Sequence, residues 1–157
     1  MTTARITRRA AISLMAMSTM GLAIDVRADT PPSIKVWKDP NCGCCTGWAE
    51  HLRRNGFVVI VTDTPAMKEV KARLGVPPEL ASCHTAAIGD YVIEGHVPAH
   101  AIRRLIVEKI LGRGLAVPGM PIGSPGMEGG TPETYDVVLY GQRPNESFGR
   151  YKGDQPV

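Results

Sequence analysis

Residues 33–63 read "SIKVWKDPNCGCCTGWAEHLRRNGFVVIVTD", a stretch that places three cysteines at the junction of a strand and a helix. "SIKVWKD" (33–39) alternates Ile34 and Val36 with polar neighbours and is rich in β-formers, the period of a strand. "PNCG" is a turn, and "CCTGWAEHLRRNG" reads as a helix ending at Gly56, a residue type suited to the position after a helix C-terminus. "FVVIVTD" (57–63) is an unbroken apolar run of strand length, which predicts a strand buried on both faces. "TPAMKEVKARLG" (64–75) then shows a capping Thr, an early Pro, apolar Met67, Val70 and Leu74, and a closing Gly, a second helix.

Beyond this β–α–β–α unit, "VPPELASCH" (76–84) is a proline-containing connection, and "TAAIGDYVIEGHV" (85–97) reads as a hairpin turning at Gly89-Asp90. "PAHAIRRLIVEKIL" (98–111) predicts an amphipathic helix with Ile102, Leu105, Ile106 and Lys109 at helical spacing. "GRGLAVPGMPIGSPGMEGGTPE" (112–133) has no periodicity and predicts a long Gly/Pro-rich loop. "TYDVVLYG" (134–141) predicts a late edge strand, and the polar tail 143–157 a poorly ordered end, docked at most by Phe148 and Tyr151. The order β–α–β–α–β–β–α, with Cys42-x-x-Cys45 at the first strand-to-helix turn, predicts an α/β fold. The expectation is a single thioredoxin-like domain, a central mixed sheet flanked by helices, with a Gly/Pro-rich C-terminal loop. No internal repeat marks a second domain.

The first 28 residues read differently. Arg5, Arg8 and Arg9 precede an apolar run from Ala10 to Ile24, and Val26-Arg27-Ala28 closes it with a small residue at the cleavage position, the layout of an export signal. Thr7-Arg8-Arg9 points to the twin-arginine route, the general secretory route being the other. The run is shorter than the roughly 20 residues that span a bilayer. Residues 29–157, with a core at 34–141, form the expected mature domain in the periplasm. Removing 1–28 takes four arginines and one aspartate from the 18 basic and 15 acidic residues, leaving 14 of each. The basic balance therefore belongs to the signal, and nothing in the mature chain predicts nucleic-acid binding.

All four cysteines, Cys42, Cys44, Cys45 and Cys83, lie beyond the signal. Three of them fall within four positions, where no long loop can be closed, so a disulfide scaffold is a poor account of them. At a helix N-terminus, free N–H groups and the helix dipole favour thiolates, the form that exchanges disulfides and binds metals. In thioredoxin-like folds the connection before the third strand faces the C-x-x-C and usually ends in a cis-proline. Cys83-His84 occupies that connection here, so a fourth thiol and an imidazole are expected beside the first three. Met120 and Met127 sit in the Gly/Pro loop, where no apolar face needs them, and thioethers are soft ligands. Packing is the competing reading for both. Met67 is expected in the core. His96 ends a strand near a loop and is a further candidate, whereas His51 and His100 read as surface or cap residues. Neither a G-x-S-x-G nor a phosphate-binding glycine loop is present.

A set of thiols with His and Met is soft. Zinc would take Cys₃His or Cys₄ but has no use for methionine, whereas Cu(I) accepts thiolates and thioethers at low coordination number. "CGCCTGW", "GVPPELASCHTA", "YVIEGHVPA" and "GLAVPGMPIGSPGME", in that order over residues 34–141, resemble the small exported CopG-like proteins, a family also catalogued as domain of unknown function 411. The resemblance implies a thioredoxin-like, copper-associated protein acting with copper-resistance functions. By motif it implies that Cys42, Cys44, Cys45, Cys83 and His84 form the metal region, with Met120 and Met127 on the family's other hallmark loop. "VEKILGRGLAV" departs from the proline-containing turn expected there, at the end of a helix away from these ligands.

The leading expectation is thus an exported copper-binding protein holding Cu(I) for resistance or transfer, with copper ions and copper-efflux or copper-transfer proteins as partners. Redox activity on the bound copper is compatible with it. The alternative is a thiol–disulfide oxidoreductase with Cys42 as nucleophile and Cys45 as resolving thiol, so whether the chain is an enzyme stays open. A structural module with two disulfides is the third reading.

Overall fold

The computed structural model describes residues 30–142 and 144–157. The expected export signal lies outside the described residues. Among the described residues, no helix is long and apolar enough to cross a membrane.

Strands β1 (Ser33–Lys38), β2 (Val58–Asp63), β3 (His84–Ile88), β4 (Tyr91–Glu94), β5 (Gly114–Ala116), β6 (Thr134–Tyr140), β7 (Glu146–Lys152) and β8 (Gln155–Pro156) form one sheet. Its order is β2-β1-β3-β4-β5-β6-β7-β8. The β1/β2 and β4/β5 pairs are parallel and the rest antiparallel, a mixed open sheet. Helices α1 (Gly43–Arg54), α2 (Met67–Leu74) and α3 (Ala99–Val107) and a 3₁₀ turn (Pro78–Leu80) complete the chain. The expected β–α–β–α–β–β–α order is realised from Ser33 to Val107.

The apolar stripes explain how the helices sit. On α1, Cys45, Trp48, Ala49 and Leu52 are buried, the i, i+3, i+4, i+7 spacing of one helix face. Trp48 and Leu52 join Ile34, Val36, Ala86, Ile93, Ile102 and Leu105 in the main core. Trp48 is fully buried, and its indole N–H donates to the Val97 carbonyl at 2.9 Å, so its one polar atom is satisfied. α1 ends as expected, with Asn55 at the cap and Gly56 at φ +81°.

Six expectations fail. β2 is not buried on both faces: it is the sheet's edge, and Val58 and Ile60 are half exposed. An apolar run fixes strand length, whereas neighbour number is set by topology. β6 is an interior strand, because the tail is not loose but returns as β7 and β8 and pairs along it. Phe148 and Tyr151 are buried there, three residues apart because the β6/β7 register shifts at Phe148, and they anchor a tail whose polar residues face out. The loop 112–133 contains β5, three buried residues too short to show a period. Helix α3 stops at Val107, short of 111, and leaves Val107 and Leu111 exposed. Met67 is only partly buried and lies outside both apolar clusters.

Candidate metal centre

Strand register brings the site together. Lys38, at the end of β1, pairs with His84, at the start of β3. Whatever precedes β3 therefore lies beside whatever follows β1, so Cys83 meets the 42–45 turn. Thr85 pairs with Glu94 at the end of β4, and the Gly95 amide donates to the His84 carbonyl at 3.1 Å, which sets His96 beside His84. β5 runs parallel to β4, Ala116 opposite Glu94, and delivers the Met120 loop to the same edge.

Cys42 is the N-cap of α1 and has no side-chain hydrogen bond to the helix. Its amide donates to the Asp39 carbonyl at 3.0 Å, closing the turn. Cys42 and Cys45 are joined as a disulfide, and Cys44 and Cys83 are free thiols. Cys45 is fully buried, whereas the other three are half-buried. The four sulfurs lie within 4.8 Å of one another, and Cys44 Sγ is 3.5 Å from Cys42 Sγ. Cys83 also belongs to a second group with His84 and His96, in which the donor atoms again lie within 4.8 Å. Its sulfur is 3.3 Å from His84 Nδ1 and 3.1 Å from His96 Nε2.

Both imidazoles are fully buried. His96 Nδ1 is 2.8 Å from the Pro125 carbonyl oxygen, which can only accept. Nδ1 therefore carries the hydrogen, and Nε2 turns a lone pair on Cys83, the arrangement in which a backbone carbonyl orients a ligating imidazole. His84 packs tilted against Trp48, ring centroids 4.3 Å apart, and its Nε2 has no hydrogen-bond partner among the described residues. A buried polar atom left unpaired costs roughly 1–3 kcal/mol, so the site tolerates His84 at a cost. Burial holds both histidines below their usual pKa, His84 well below, with the His96 and Lys71 charges adding to the effect on His84. Burial, with repulsion from Cys44, pushes the Cys83 thiol up to about 11. The pocket thus presents neutral imidazoles and a protonated thiol until a cation replaces the proton.

The loop 117–130 is tied to the site at both ends. The Ser82 hydroxyl donates to the Gly119 carbonyl at 2.7 Å, beside Met120. At the other end Gly126 (φ +88°) lies against α1: a Cβ on it would stand 2.5 Å from the Cys44 carbonyl oxygen and 2.7 Å from the Trp48 amide nitrogen. Gly47 is small for the same close approach, since a Cβ on it would stand 3.1 Å from Gly126 Cα. Met120 is half exposed, and Met127 is half-buried in a turn where its amide donates to the Ser124 carbonyl.

The sequence-derived cysteines and His84 are brought together, with His96 among them. His51 is a correction: it is buried rather than on the surface, and its Nε2 accepts from the Ala99 amide at 3.1 Å. His100 is exposed, 5.0 Å from the Tyr151 ring. Sequence reasoning passed over Lys71 and Glu94, whose side chains pair at 2.5 Å behind Cys83. No local signal marked the pair, since Lys71 lies on α2 and Glu94 ends β4, 23 residues away.

The donor set, four sulfurs and two neutral imidazoles, suits soft or borderline cations. A family model described as "Protein of unknown function, DUF411" matches residues 80–127. Two solved structures, described as "Copper resistance protein copG" forms 2 and 1, are 46% and 45% identical. They match over 78% and 79% of this chain and 99% and 100% of theirs, each with a TM-score of 0.73. The chain belongs to the CopG-like DUF411 family. Curated protein sequences gave no match. In this CopG-like chain the family-model match covers Cys83, His84, His96 and the Met120–Met127 loop, and the first three cysteines precede it.

Proposed function

We propose that this CopG-like chain binds Cu(I) as cargo through Cys42, Cys44, Cys45 and Cys83, for copper resistance or transfer. His84, Met120 and Met127 join the donor set, and His96, grouped with Cys83 and His84, is a further candidate. The observation that carries this reading is four sulfurs within 4.8 Å of one another, three of them at a helix N-terminus that favours thiolates. Zinc fits less well, because a site built for it has no role for thioethers. Residues 1–28 act as an export signal, by the twin-arginine or general secretory route, and place the mature domain 29–157 in the periplasm. Copper-efflux or copper-transfer proteins receive the cargo. The C-x-x-C at the strand-to-helix turn supports a thioredoxin-like reading of the first seven elements.

The Cys42–Cys45 disulfide favours a coupled redox reading. When two thiols close to a disulfide they release two protons and two electrons, which convert two Cu(II) to two Cu(I). Conversely, an oxidised site has lost two of its four thiolate ligands. The plain thiol–disulfide oxidoreductase, with Cys42 attacking and Cys45 resolving, is the rival. It predicts disulfide reductase activity that survives Cys44→Ser and Cys83→Ser.

An anaerobic titration of the reduced mature domain with Cu(I) against a competing chelator separates them. Tight binding with all four thiols protected supports the copper reading. Absence of competitive binding, with a readily reduced Cys42–Cys45 pair, overturns it in favour of the oxidoreductase.

A further inference from the structure

Behind Cys83 lies a polar group that the copper reading does not use. The Glu94 side chain is fully buried and that of Lys71 is 15% exposed. Glu94 Oε1 accepts from Lys71 Nζ at 2.5 Å and from the Ser82 amide at 2.6 Å, and Oε2 accepts from the Thr85 hydroxyl at 2.7 Å. Lys71 Nζ also donates to Thr85 Oγ1 at 2.9 Å. The carboxylate is thus saturated, and its bonds reach three different elements: α2, β3 and the irregular connection 81–83.

The bond to Ser82 is the informative one. Residues 81–83 belong to no strand or helix, so no ladder fixes the backbone that carries Cys83. The Ser82 hydroxyl in turn holds Gly119, one residue before Met120. Gly95 leaves room for this: a Cβ there would stand 2.7 Å from Ser82 Oγ and 2.6 Å from the Val117 carbonyl oxygen. A buried ion pair gives little net stability compared with an apolar pair of the same shape, so fold support alone is a weak reason to keep one here.

We infer that Glu94, neutralised by Lys71, is the positioning residue for the fourth thiol: it fixes the Ser82 amide, and through Ser82 it holds Cys83 and the Met120 loop in one arrangement. The role in copper affinity rests on the proposed function. The placement of Cys83 does not.

Two double variants separate positioning from stability. Lys71→Met/Glu94→Leu replaces the pair by apolar side chains and leaves the Ser82 amide without an acceptor. Lys71→Met/Glu94→Gln removes the same charges but keeps an amide oxygen for Ser82. In the oxidised protein, with no metal present, Cys44 and Cys83 are the free thiols, so alkylation of each is read by peptide mass with Cys44 as internal reference.

The Leu variant is expected to raise the Cys83-to-Cys44 labelling ratio about tenfold and to weaken Cu(I) binding about tenfold, the scale of outer-shell effects at metal sites. The Gln variant is expected to stay within about twofold of wild type in both. Ser82→Pro removes the amide hydrogen and is tolerated by extended Ala81 (φ −61°, ψ 135°), so it is expected to raise the ratio severalfold over Ser82→Ala, which keeps every Glu94 contact, and it serves if the Leu variant does not fold. An unchanged ratio in the Leu variant, or equal increases in the Leu and Gln variants, overturns the inference. If the Leu variant does not fold, equal ratios in Ser82→Pro and Ser82→Ala overturn it. A raised ratio in protein that binds no Cu(I) upholds the positioning role and sinks the proposed function instead.

Discussion

His96 presents its Nε2 lone pair to the sulfur of Cys83 across 3.1 Å. The orientation is imposed from behind, where Nδ1–H donates to the Pro125 carbonyl at 2.8 Å. Histidine ligands in metal sites are oriented in this way, and mutation of the orienting contacts costs 10–100-fold in affinity, so the ligand itself should matter at least as much. His96→Ala is expected to weaken Cu(I) binding by about tenfold or more in a chelator competition. Wild-type affinity would reduce His96 to a hydrogen-bonding partner of the loop.

The disulfide makes oxidation state a second variable. Cys42 and Cys45 are tied in it, and two thiols remain. Reduced protein is expected to bind more Cu(I) than oxidised protein, and Cys42→Ser or Cys45→Ser should abolish most of the binding. Copper and free thiols counted in the same anaerobic sample decide the matter. Full stoichiometry in either serine variant would refute the cluster.

Gly126 is where the methionine loop meets α1. Its φ of +88° disfavours any side chain, and a Cβ there would stand 2.5 Å from the Cys44 carbonyl oxygen. Gly126→Ala should cost about 1–3 kcal/mol. At this chain length that lowers Tm by roughly 3–10 °C. Gly119→Ala is the control: φ is +72° there, but nothing lies within 4 Å of the added carbon, so strain acts without the clash. Equal losses in the two variants would mean that close packing against α1 contributes nothing.

The cysteine turn was legible because a strand, a turn and a helix each carry local signals, and C-x-x-C at that junction narrows the chemistry. Cys83-His84 was legible through the expectation that the connection before the third strand faces the C-x-x-C, and the pairing of Lys38 with His84 brings it there. The exposure of β2, the interior place of β6 and the partners of His51 were not legible. Each depends on segments distant in sequence: the tail that becomes β7, and the Ala99 amide 48 residues from His51. Glu94 was missed because one carboxylate in "YVIEG" looks solvated until Lys71 and Ser82 are brought to it.

His51 links stability to pH. Burial lowers its pKa below the usual 6.5, and so do the charges of Arg54 and His100, against opposing effects of Asp154 and Glu128. Its Nε2 must be neutral to accept from the Ala99 amide of α3. The unfolded chain then binds the proton more readily, so this contribution is present above the unfolded value and is lost as pH falls through about 6.5. His84 and His96 are lowered too and act with the same sign, so the His51 share is read by difference. His51→Gln, which keeps an acceptor, is expected to lose less Tm between about pH 7.5 and pH 5 than wild type. Identical slopes would remove His51 from the account.

Met120 allows ligation and packing to be told apart. Its side chain is about half exposed, so it contributes little to the core, and substitutions at such positions usually change stability by no more than about 0.5 kcal/mol. Yet its neighbour Gly119 is fastened to Ser82, one residue from Cys83. An exposed thioether whose backbone neighbour is fastened to Ser82 gives little to folding, and it is a soft donor. Met120→Leu keeps shape and hydrophobicity and removes the sulfur. It is expected to weaken Cu(I) binding severalfold with Tm unchanged. Unaltered affinity with a lowered Tm would give Met120 to packing and leave the cysteines, the imidazoles and Met127 as the donor set.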